Sequence, residues 1–312
     1  MEYIIIIVSL IGIVLGADWL VDGSVAIARK YKVSDFVIGA AIVGIGTSMP
    51  ELTVSFTGAL QGNSDVAIGN VIGSNIFNVL GILGVTALFF PIAIQRSNMK
   101  FEIPVCIAFS ILVTLLSFDF FTHTNNPKLG RIDGLVLLVG FILFLWYSFR
   151  RDRKNHIETA APDEKIMALW KAVILVIVGL GILIVSCDFF VDNAIIVARK
   201  WGMSEAVISI TLIACGTSLP ELAASVAAAC KKNTQLALGN IIGSNIFNIA
   251  LILGLSAQVS TLASIDITIL DYAVMILAAV LPLIWGIKGS IGRLSGSFML
   301  IMFIAYSIYI IN

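Results

Sequence analysis

Two glutamates stand in otherwise apolar parts of the chain, and each directly follows a proline. Glu51 lies in GIGTSMPEL, residues 44–52, and Glu221 lies in ACGTSLPEL, residues 214–222. A carboxylate in such a setting can transfer a proton or hold a cation, and it is costly to bury without a role of this kind. Because proline has no N–H, each motif also loosens nearby backbone carbonyls, which can then serve as oxygen ligands. The two motifs therefore predict a cation site.

Neutral oxygen donors accompany both glutamates. A hydroxyl pair precedes each proline, and a second motif in each half repeats polar residues every four positions, which places them on one helical face. The donors are Thr47, Ser48, Asn70, Ser74 and Asn78 in the first half, and Thr217, Ser218, Asn240, Ser244 and Asn248 in the second. Oxygen ligands without sulfur or imidazole favour hard cations such as calcium and sodium.

The sequence offers the glutamates no basic partner. The membrane-embedded parts of the predicted helices that carry these motifs contain no Lys, Arg or His. A charged side chain near a bilayer centre costs about 2.5–3.5 kcal/mol on insertion scales. Protons or cations from solution must therefore neutralise the carboxylates, and two carboxylates suit one divalent ion or several monovalent ions.

The same residue types also have structural interpretations. Gly, Ser and Asn faces often serve helix packing in membranes, and Asn75 and Asn245, which lie on a different face, are assigned to packing. A single buried glutamate could be a protonated structural residue, but its recurrence at matching positions after a proline favours the cation site. Four aspartates near helix ends are assigned to the membrane interface: Asp18, Asp22, Asp188 and Asp192.

The composition indicates that a membrane surrounds these motifs. The 312 residues are 59% hydrophobic and 12% charged, and their mean hydropathy is +1.04. So few charges cannot cover the surface of a soluble protein of this length, whereas a multi-pass membrane protein has such a composition. The 19 basic and 19 acidic residues balance, so no nucleic-acid partner is expected.

Apolar runs of about 20 residues, the length that crosses the hydrocarbon, predict an all-α membrane protein. Ten candidate transmembrane helices are recognised: 4–27, 34–60, 66–90, 102–121, 131–149, 168–197, 205–230, 235–258, 267–286 and 293–311. Helices 2 and 7 of this series contain the prolines and are expected to be broken at the ion site.

The second half of the chain copies the first at a constant offset of 170, so that GNVIGSNIFN at 69–78 returns as GNIIGSNIFN at 239–248. The hydrophilic stretch 150–167 separates two units, 1–149 and 168–312, of five predicted helices each. Since five is odd, the second unit must enter the membrane from the opposite side. Transporters with inverted repeats of this kind bind their substrates near the midplane, between the halves.

Basic residues set the predicted orientation. With the N-terminus outside, the inner loops hold 15 of the 19 Lys and Arg residues, and the outer loops hold four. We therefore expect both termini on the extracellular side of the plasma membrane and the 150–167 linker in the cytoplasm.

With GTSMPE and GNVIGSNIFN in one half and GTSLPE and GNIIGSNIFN in the other, the chain resembles the calcium/cation antiporter superfamily, specifically its sodium/calcium exchanger family of minimal prokaryotic type. The resemblance covers essentially the whole chain. It implies that Glu51 and Glu221 are the central calcium ligands, which also serve sodium, and that the carbonyls of Thr47 and Thr217 complete the calcium shell. The remaining ligands that it implies are the oxygens of Thr47, Ser48, Ser74, Thr217, Ser218 and Ser244, the carbonyls of Gly44 and Ala214, and the side chains of Asn78 and Asn248 in the middle of the site.

The resemblance also implies a function. It indicates a secondary antiporter, not an enzyme, that exchanges sodium for calcium by alternating access, extrudes calcium with the sodium gradient, needs no cofactor and works as a monomer. Predicted helices 1 and 6 would slide as a pair against the remaining bundle. Asn248 stands where potassium-dependent members carry aspartate, so potassium dependence is not expected. A calcium/proton exchanger remains open as the alternative, and a cation channel or an intramembrane protease is a more distant one.

Overall fold

The computed structural model describes residues 1–118, 127–155, 167–202 and 214–311. The predicted helix 205–230 begins outside these ranges. The end of the predicted helix 102–121 and most of the linker 150–167 also lie outside them.

Helices make up nearly all of the described structure, as the sequence predicts. They are α1 (Glu2–Tyr31), α2 (Asp35–Thr47), α3 (Met49–Leu60), α4 (Ser64–Phe89), α5 (Arg96–Lys100), α6 (Glu102–Ser117), α7 (Arg131–Asn155), α8 (Leu169–Lys200), α9 (Ala214–Gly216), α10 (Leu219–Cys230), α11 (Thr234–Val259), α12 (Ile269–Gly286) and α13 (Arg293–Ile311). Four strands of two residues each are β1 (Ile92–Ala93), β2 (Lys128–Leu129), β3 (Leu262–Ala263) and β4 (Ser290–Ile291).

The helices identify a multi-pass membrane protein. In the part of the chain that the structure describes, eight helical stretches are long and apolar enough to cross a membrane, and the bent pair α2–α3 brings the number to nine. The shorter apolar helix α10 belongs to the predicted span 205–230, whose beginning is outside the described ranges. The number of ten crossings therefore stays a prediction.

Helices α1 and α8 run antiparallel along each other at close range. Lys200 Nζ at the end of α8 lies 3.0 Å from Glu2 Oε1 at the start of α1. Further along, a Cβ atom on Gly16 would lie 2.8 Å from the carbonyl oxygen of Gly179, so the two backbones can meet there only without side chains. These helices occupy equivalent places in the sequence repeat, yet they point in opposite directions.

The helices that carry the second polar motif form the centre of the bundle. In the most apolar 18-residue window, 94% of the residues of α11 and 78% of those of α4 are buried, against 17% for α8 and 11% for α13. The exposed apolar faces of α8 and α13 are therefore available to lipid. Five of the six polar side chains of the second motif are buried in the protein interior, namely Ser74, Asn78, Asn240, Ser244 and Asn248, and Asn70 is partly exposed.

Short contacts connect loops from the two halves of the chain. Strand β1 pairs with β4 and β2 pairs with β3, both in antiparallel register. Asp65 at the start of α4 accepts hydrogen bonds from Ser264 Oγ and, at 3.0 Å, from the N–H of Ile265. Strands of two residues are too short for sequence periodicity to predict.

One ion pair connects the end of α10 to α1. Lys231 Nζ lies 2.7 Å from Asp22 Oδ1 and 3.2 Å from Asp18 Oδ1. The residue 170 positions before Lys231 is Gln61, which carries no charge. This contact between helices therefore has no ionic copy at the equivalent place in the first half.

Candidate ion-binding site

The two glutamates are fully buried in the first turns of α3 and α10. Each accepts a hydrogen bond from a serine of the opposite motif. Ser218 Oγ donates to Glu51 Oε1 at 2.8 Å, and Ser48 Oγ donates to Glu221 Oε1 at 2.7 Å. The structure thus brings the two motifs, one from each half of the chain, into direct contact.

The prolines explain where the helices break. Helices α2 and α3 meet at an angle of 51°, with Ser48 between them. Pro50 occupies the first turn of α3, where a missing N–H breaks no helical hydrogen bond. The acidic residue that follows lies at the positive end of the helix dipole. Pro220 and Glu221 hold the same positions at the start of α10.

Thr47 and Thr217 flank the carboxylates of the opposite halves. Thr47 lies beside Glu221, and Thr217 lies beside Glu51. The Thr47 hydroxyl donates to the carbonyl oxygen of Val43 at 3.0 Å, within its own helix. Thr47 is buried, whereas Thr217 is partly exposed. The two sides of the site therefore differ in how open they are.

Asn70 and Asn240 hold the backbone of the glutamate-bearing helices. Asn70 Nδ2 donates to the carbonyl oxygen of Glu51 at 3.2 Å and to Ser55 Oγ at 2.9 Å. Asn240 makes the same two bonds in the second half, at 3.2 Å to the backbone carbonyl of its glutamate and at 2.9 Å to Ser225 Oγ. Neither serine stands out in the sequence alone, although each follows its glutamate by four residues and so shares its helical face.

The structure places further predicted ligands on α2, α4, α9 and α11. Ser244 Oγ donates to the carbonyl oxygen of Gly44 at 3.3 Å, and both residues are buried. Ser74, the counterpart of Ser244, is buried on α4. Ala214, the counterpart of Gly44, begins α9, which packs against α4.

A second set of reciprocal contacts connects α4 and α11. Asn78 Nδ2 donates to Asn245 Oδ1 at 3.0 Å, and Asn248 Nδ2 donates to Asn75 Oδ1 at 3.2 Å. Asn75 and Asn245 also donate to each other's backbone carbonyls, at 3.3 Å and 3.2 Å. The assignment of Asn75 and Asn245 to packing is therefore incomplete, because their side chains bind two predicted ligands.

Each glutamate-bearing helix packs against a π-helical turn of the opposite half. Helix α3 contacts Asn248–Leu253 within α11, and α10 contacts Phe77–Leu83 within α4. Such π-helical turns occur frequently at functional sites. Here the two turns include Asn78 and Asn248.

Four predicted ligands retain a buried oxygen that has no hydrogen-bond partner among the described residues. These atoms are Glu51 Oε2, Glu221 Oε2, Asn78 Oδ1 and Asn248 Oδ1. A buried acceptor without a donor costs about 1–3 kcal/mol. Within the described ranges, no group of three or more His, Cys, Asp or Glu side chains could hold a metal ion. The arrangement therefore offers a cation two carboxylates surrounded by neutral oxygens.

Both motifs and their surroundings match a known family. The model of the family described as "Sodium/calcium exchanger protein" matches residues 1–150 and 171–312. The chain belongs to this family. The resemblance inferred from the paired motifs is thus confirmed, and the family is one of transporters.

Individual relatives match nearly the whole chain. It is 38% identical to the putative antiporter CaxA of Alkalimonas amylolytica, over 97% of this chain and 96% of that protein. It is 30% identical to the sodium/calcium exchanger MaX1 of Methanosarcina acetivorans, over 98% and 97% of the two chains. A solved structure of the sodium-calcium exchanger NCX_Mj matches with a TM-score of 0.83 at 33% identity, over 97% of each chain. This family member therefore has the minimal prokaryotic size and shares the fold of NCX_Mj.

Proposed function

We propose that this chain exchanges sodium for calcium across the membrane, with Glu51 and Glu221 as ligands that both ions share. One observation carries the proposal. Each buried carboxylate has one oxygen bound by a serine of the other half and one oxygen without a partner. Helices α2, α3, α4, α9, α10 and α11 contain no Lys, Arg or His that could neutralise them. A cation from solution supplies the missing charge.

Neutral oxygens complete the proposed coordination shells. The carbonyls of Thr47 and Thr217 join the glutamates around calcium. For sodium, the ligands are the oxygens of Thr47, Ser48, Ser74, Thr217, Ser218 and Ser244 and the carbonyls of Gly44 and Ala214, with Asn78 and Asn248 in the middle of the site. The burial of the described members of this set and the four unpartnered oxygens support these roles.

Exchange, rather than transport of one ion, follows from the energy of the empty site. Two uncompensated carboxylates in a closed, dry interior carry a large desolvation cost. The conformational change is therefore favourable only when cations fill the site. Calcium and sodium take turns on the same carboxylates, and each carries the protein from one orientation to the other.

The proposed architecture is ten transmembrane helices in two inverted units, 1–149 and 168–312, joined by a linker. Two observations support it. The repeat-equivalent helices α1 and α8 run antiparallel. The serine–glutamate and asparagine contacts also occur in pairs, and a shift of 170 positions converts each contact of a pair into the other, as a twofold relation between the units requires.

The proposed moving part is the α1–α8 pair, which slides against the remaining bundle and exposes the site to one side at a time. The high exposure of α8 and its close contact with α1 support movement as a unit. In the proposed orientation both termini are extracellular, the protein lies in the plasma membrane, and sodium entry drives calcium out. One chain suffices, its partners are the two ions and the lipid bilayer, and no cofactor is required.

A calcium/proton exchanger is the second candidate. Buried carboxylates can bind protons in place of sodium, and one relative is named only as a putative antiporter. Sodium ranks first because each glutamate accepts a hydrogen bond from a serine hydroxyl, and neutral hydroxyl ligands of this kind are not needed for proton binding.

Uptake of radiolabelled calcium into proteoliposomes tests the proposal. Vesicles loaded with sodium and diluted into sodium-free medium should accumulate calcium, and a potassium gradient of equal size should not drive uptake. In a third measurement, a proton gradient at constant sodium concentration tests for calcium/proton exchange.

Uptake that follows the proton gradient and ignores sodium would establish the calcium/proton exchanger instead. Unitary conductance steps in planar bilayers would contradict an exchanger of either kind and indicate a channel. Empty vesicles and vesicles with Glu51→Gln protein serve as controls for leak.

A further inference from the structure

We infer that Asn75 and Asn245 are positioning residues, which orient the amides of Asn78 and Asn248 so that their oxygens, and not their NH₂ groups, face the cation. The inference rests on the proposed function, since it concerns the same site. It assigns a role to two residues that no coordination argument includes.

The orientation of an asparagine decides whether it attracts or repels a cation. One end of the amide is an acceptor oxygen, and the other end carries two N–H donors. The two ends have nearly the same size, so packing alone does not choose between them. Something must hold Asn78 and Asn248 in the orientation that a cation requires.

For Asn78, a chain of bonds that begins at a backbone carbonyl fixes this orientation. The carbonyl oxygen of Asn75 can only accept a hydrogen bond, and it lies 3.2 Å from Asn245 Nδ2. The Asn245 amide is thereby fixed with its oxygen toward Asn78. Asn78 must then present its Nδ2 to that oxygen, which it does at 3.0 Å. Its own Oδ1 is left buried and without a partner among the described residues.

For Asn248, an equivalent chain of bonds begins at a backbone carbonyl of its own helix, α11, and passes through a side chain of α4. The carbonyl oxygen of Asn245 accepts from Asn75 Nδ2 at 3.3 Å, and Asn75 Oδ1 accepts from Asn248 Nδ2 at 3.2 Å. Asn248 Oδ1 is then the free end. Because each chain begins at a backbone atom, removal of one side chain leaves the other chain of bonds intact.

The pattern of used and unused oxygens argues against a purely structural role. Of the four amide oxygens, those of Asn75 and Asn245 are occupied, and those of Asn78 and Asn248 are buried without a partner. A flip of Asn78 would satisfy nothing and would bring two acceptors within 3.0 Å of each other. The network therefore keeps two amide oxygens available in the interior.

The experiment is a double-mutant cycle on calcium binding to the purified protein, measured by titration calorimetry at constant pH and ionic strength. Asn245→Leu keeps the approximate volume and removes both ends of the amide, so calcium affinity should fall about tenfold, as expected for loss of one hydrogen-bond-like contact to a charge. In the Asn78→Asp background the same change should have less than about a twofold effect, because both oxygens of a carboxylate accept.

The crossed pair supplies the matched control. In the Asn248→Asp background, Asn245→Leu should still lower calcium affinity about tenfold, whereas Asn75→Leu should no longer lower it. In the Asn78→Asp background, Asn75→Leu should still lower calcium affinity about tenfold. Equal effects in all backgrounds would overturn the inference, because a structural role does not depend on the ligand at position 78 or 248. Alanine replaces leucine if a leucine variant is not monodisperse. Absence of calcium binding by the unmodified protein would contradict the proposed function itself. Calcium binding in which the effects of the paired substitutions on affinity are simply additive would contradict only the positioning role.

Discussion

Glu51 and Glu221 at the centre of the molecule receive matching hydrogen bonds from opposite halves, at 2.8 Å and 2.7 Å, whereas Lys231 at its edge binds Asp18 and Asp22 without a charged counterpart. The two regions derive from the same sequence repeat. At the centre each serine–glutamate contact has a copy, whereas at the edge the residue that corresponds to Lys231 is the uncharged Gln61.

The difference teaches where the repeat is constrained. Under the proposed mechanism, an ion that is bound between the halves and released to either side needs similar ligands from both halves, so a change in one half alone would disturb the site. A contact at the edge lies on one side of the membrane only. It can therefore differ from its counterpart without a change in the chemistry at the centre.

The largest expected effect tests the symmetry of the centre. Glu51→Gln and Glu221→Gln should each abolish sodium-driven calcium uptake, because each removes one of two charges that neutralise the ion. Glu102→Gln is the matched control, since Glu102 is also buried but pairs with Arg151 at 3.5 Å outside the site. It should retain uptake within a few-fold. Near-normal uptake by either site variant would contradict the model of shared carboxylates.

A smaller effect is expected at the α1–α8 crossing, which is not symmetric: the repeat counterparts of Gly16 and Gly179 are Ser186 and Ser9. A Cβ on Gly179 would lie 2.7 Å from the backbone N of Leu20, so Gly179→Val should force the helices apart. We expect a loss of about 1–3 kcal/mol in stability, seen as a lower melting temperature, with calcium binding retained.

Gly181 provides the control for this crossing, because nothing lies within 4 Å of a Cβ built on it. Gly181→Val should leave the melting temperature nearly unchanged. If both valine variants melt at the same temperature, the close approach of the two backbones does not stabilise the pair.

Substitution of Ser48 and Ser218 tests whether the two halves contribute equally to calcium binding at the centre. Ser48→Ala and Ser218→Ala each remove a donor that stabilises the charged form of the opposite glutamate, so the half-saturating calcium concentration for uptake should rise about tenfold in both. Ser48→Thr and Ser218→Thr keep the hydroxyl and should restore most of the affinity. Losses that differ by more than a few-fold between the two alanine variants would show that the reciprocal geometry does not produce reciprocal function.

The smallest effect is expected at the edge. Lys231→Gln gives the second half the residue found at position 61 and should cost less than about 1 kcal/mol, because Lys231 is partly exposed and exposed ion pairs stabilise little. Lys232→Gln, one residue further along, should have no effect on the melting temperature. A loss of uptake in Lys231→Gln as large as that in the serine variants would mean that this ion pair takes part in transport.

Much of the fold and of the candidate site could be predicted from the sequence, for identifiable reasons. The long apolar helices follow from composition and length, and the break before Pro50 follows because proline disfavours helical backbone in the residues that precede it. Glu51 and Glu221 attract attention because buried carboxylates without a base are costly. Family membership follows from the paired motifs, and the family model that covers both halves confirms it.

Other features could not be predicted from the sequence alone. A repeat predicts that Ser48 and Ser218 play equal parts, but it does not say whether each serine binds its own glutamate or the other one. Regular helical periodicity predicts that Asn75 lies on a different face from Asn70, Ser74 and Asn78, whereas the π-helical turn that begins at Phe77 changes the hydrogen-bond register of α4. Periodicity therefore assigns Asn75 and Asn78 to different roles, although one hydrogen-bond network with Asn245 includes both of them.

The sequence by itself determined the chemistry of this protein: two carboxylates, their neutral oxygen neighbours, a membrane as solvent and a family of exchangers. These properties depend on residue type and spacing, which the amino-acid sequence specifies directly. Only the tertiary structure decided which half serves which glutamate and which amide oxygens remain free. Those choices depend on the direction in which α4 and α11 pack against each other and on backbone carbonyls, which every residue carries and no sequence distinguishes.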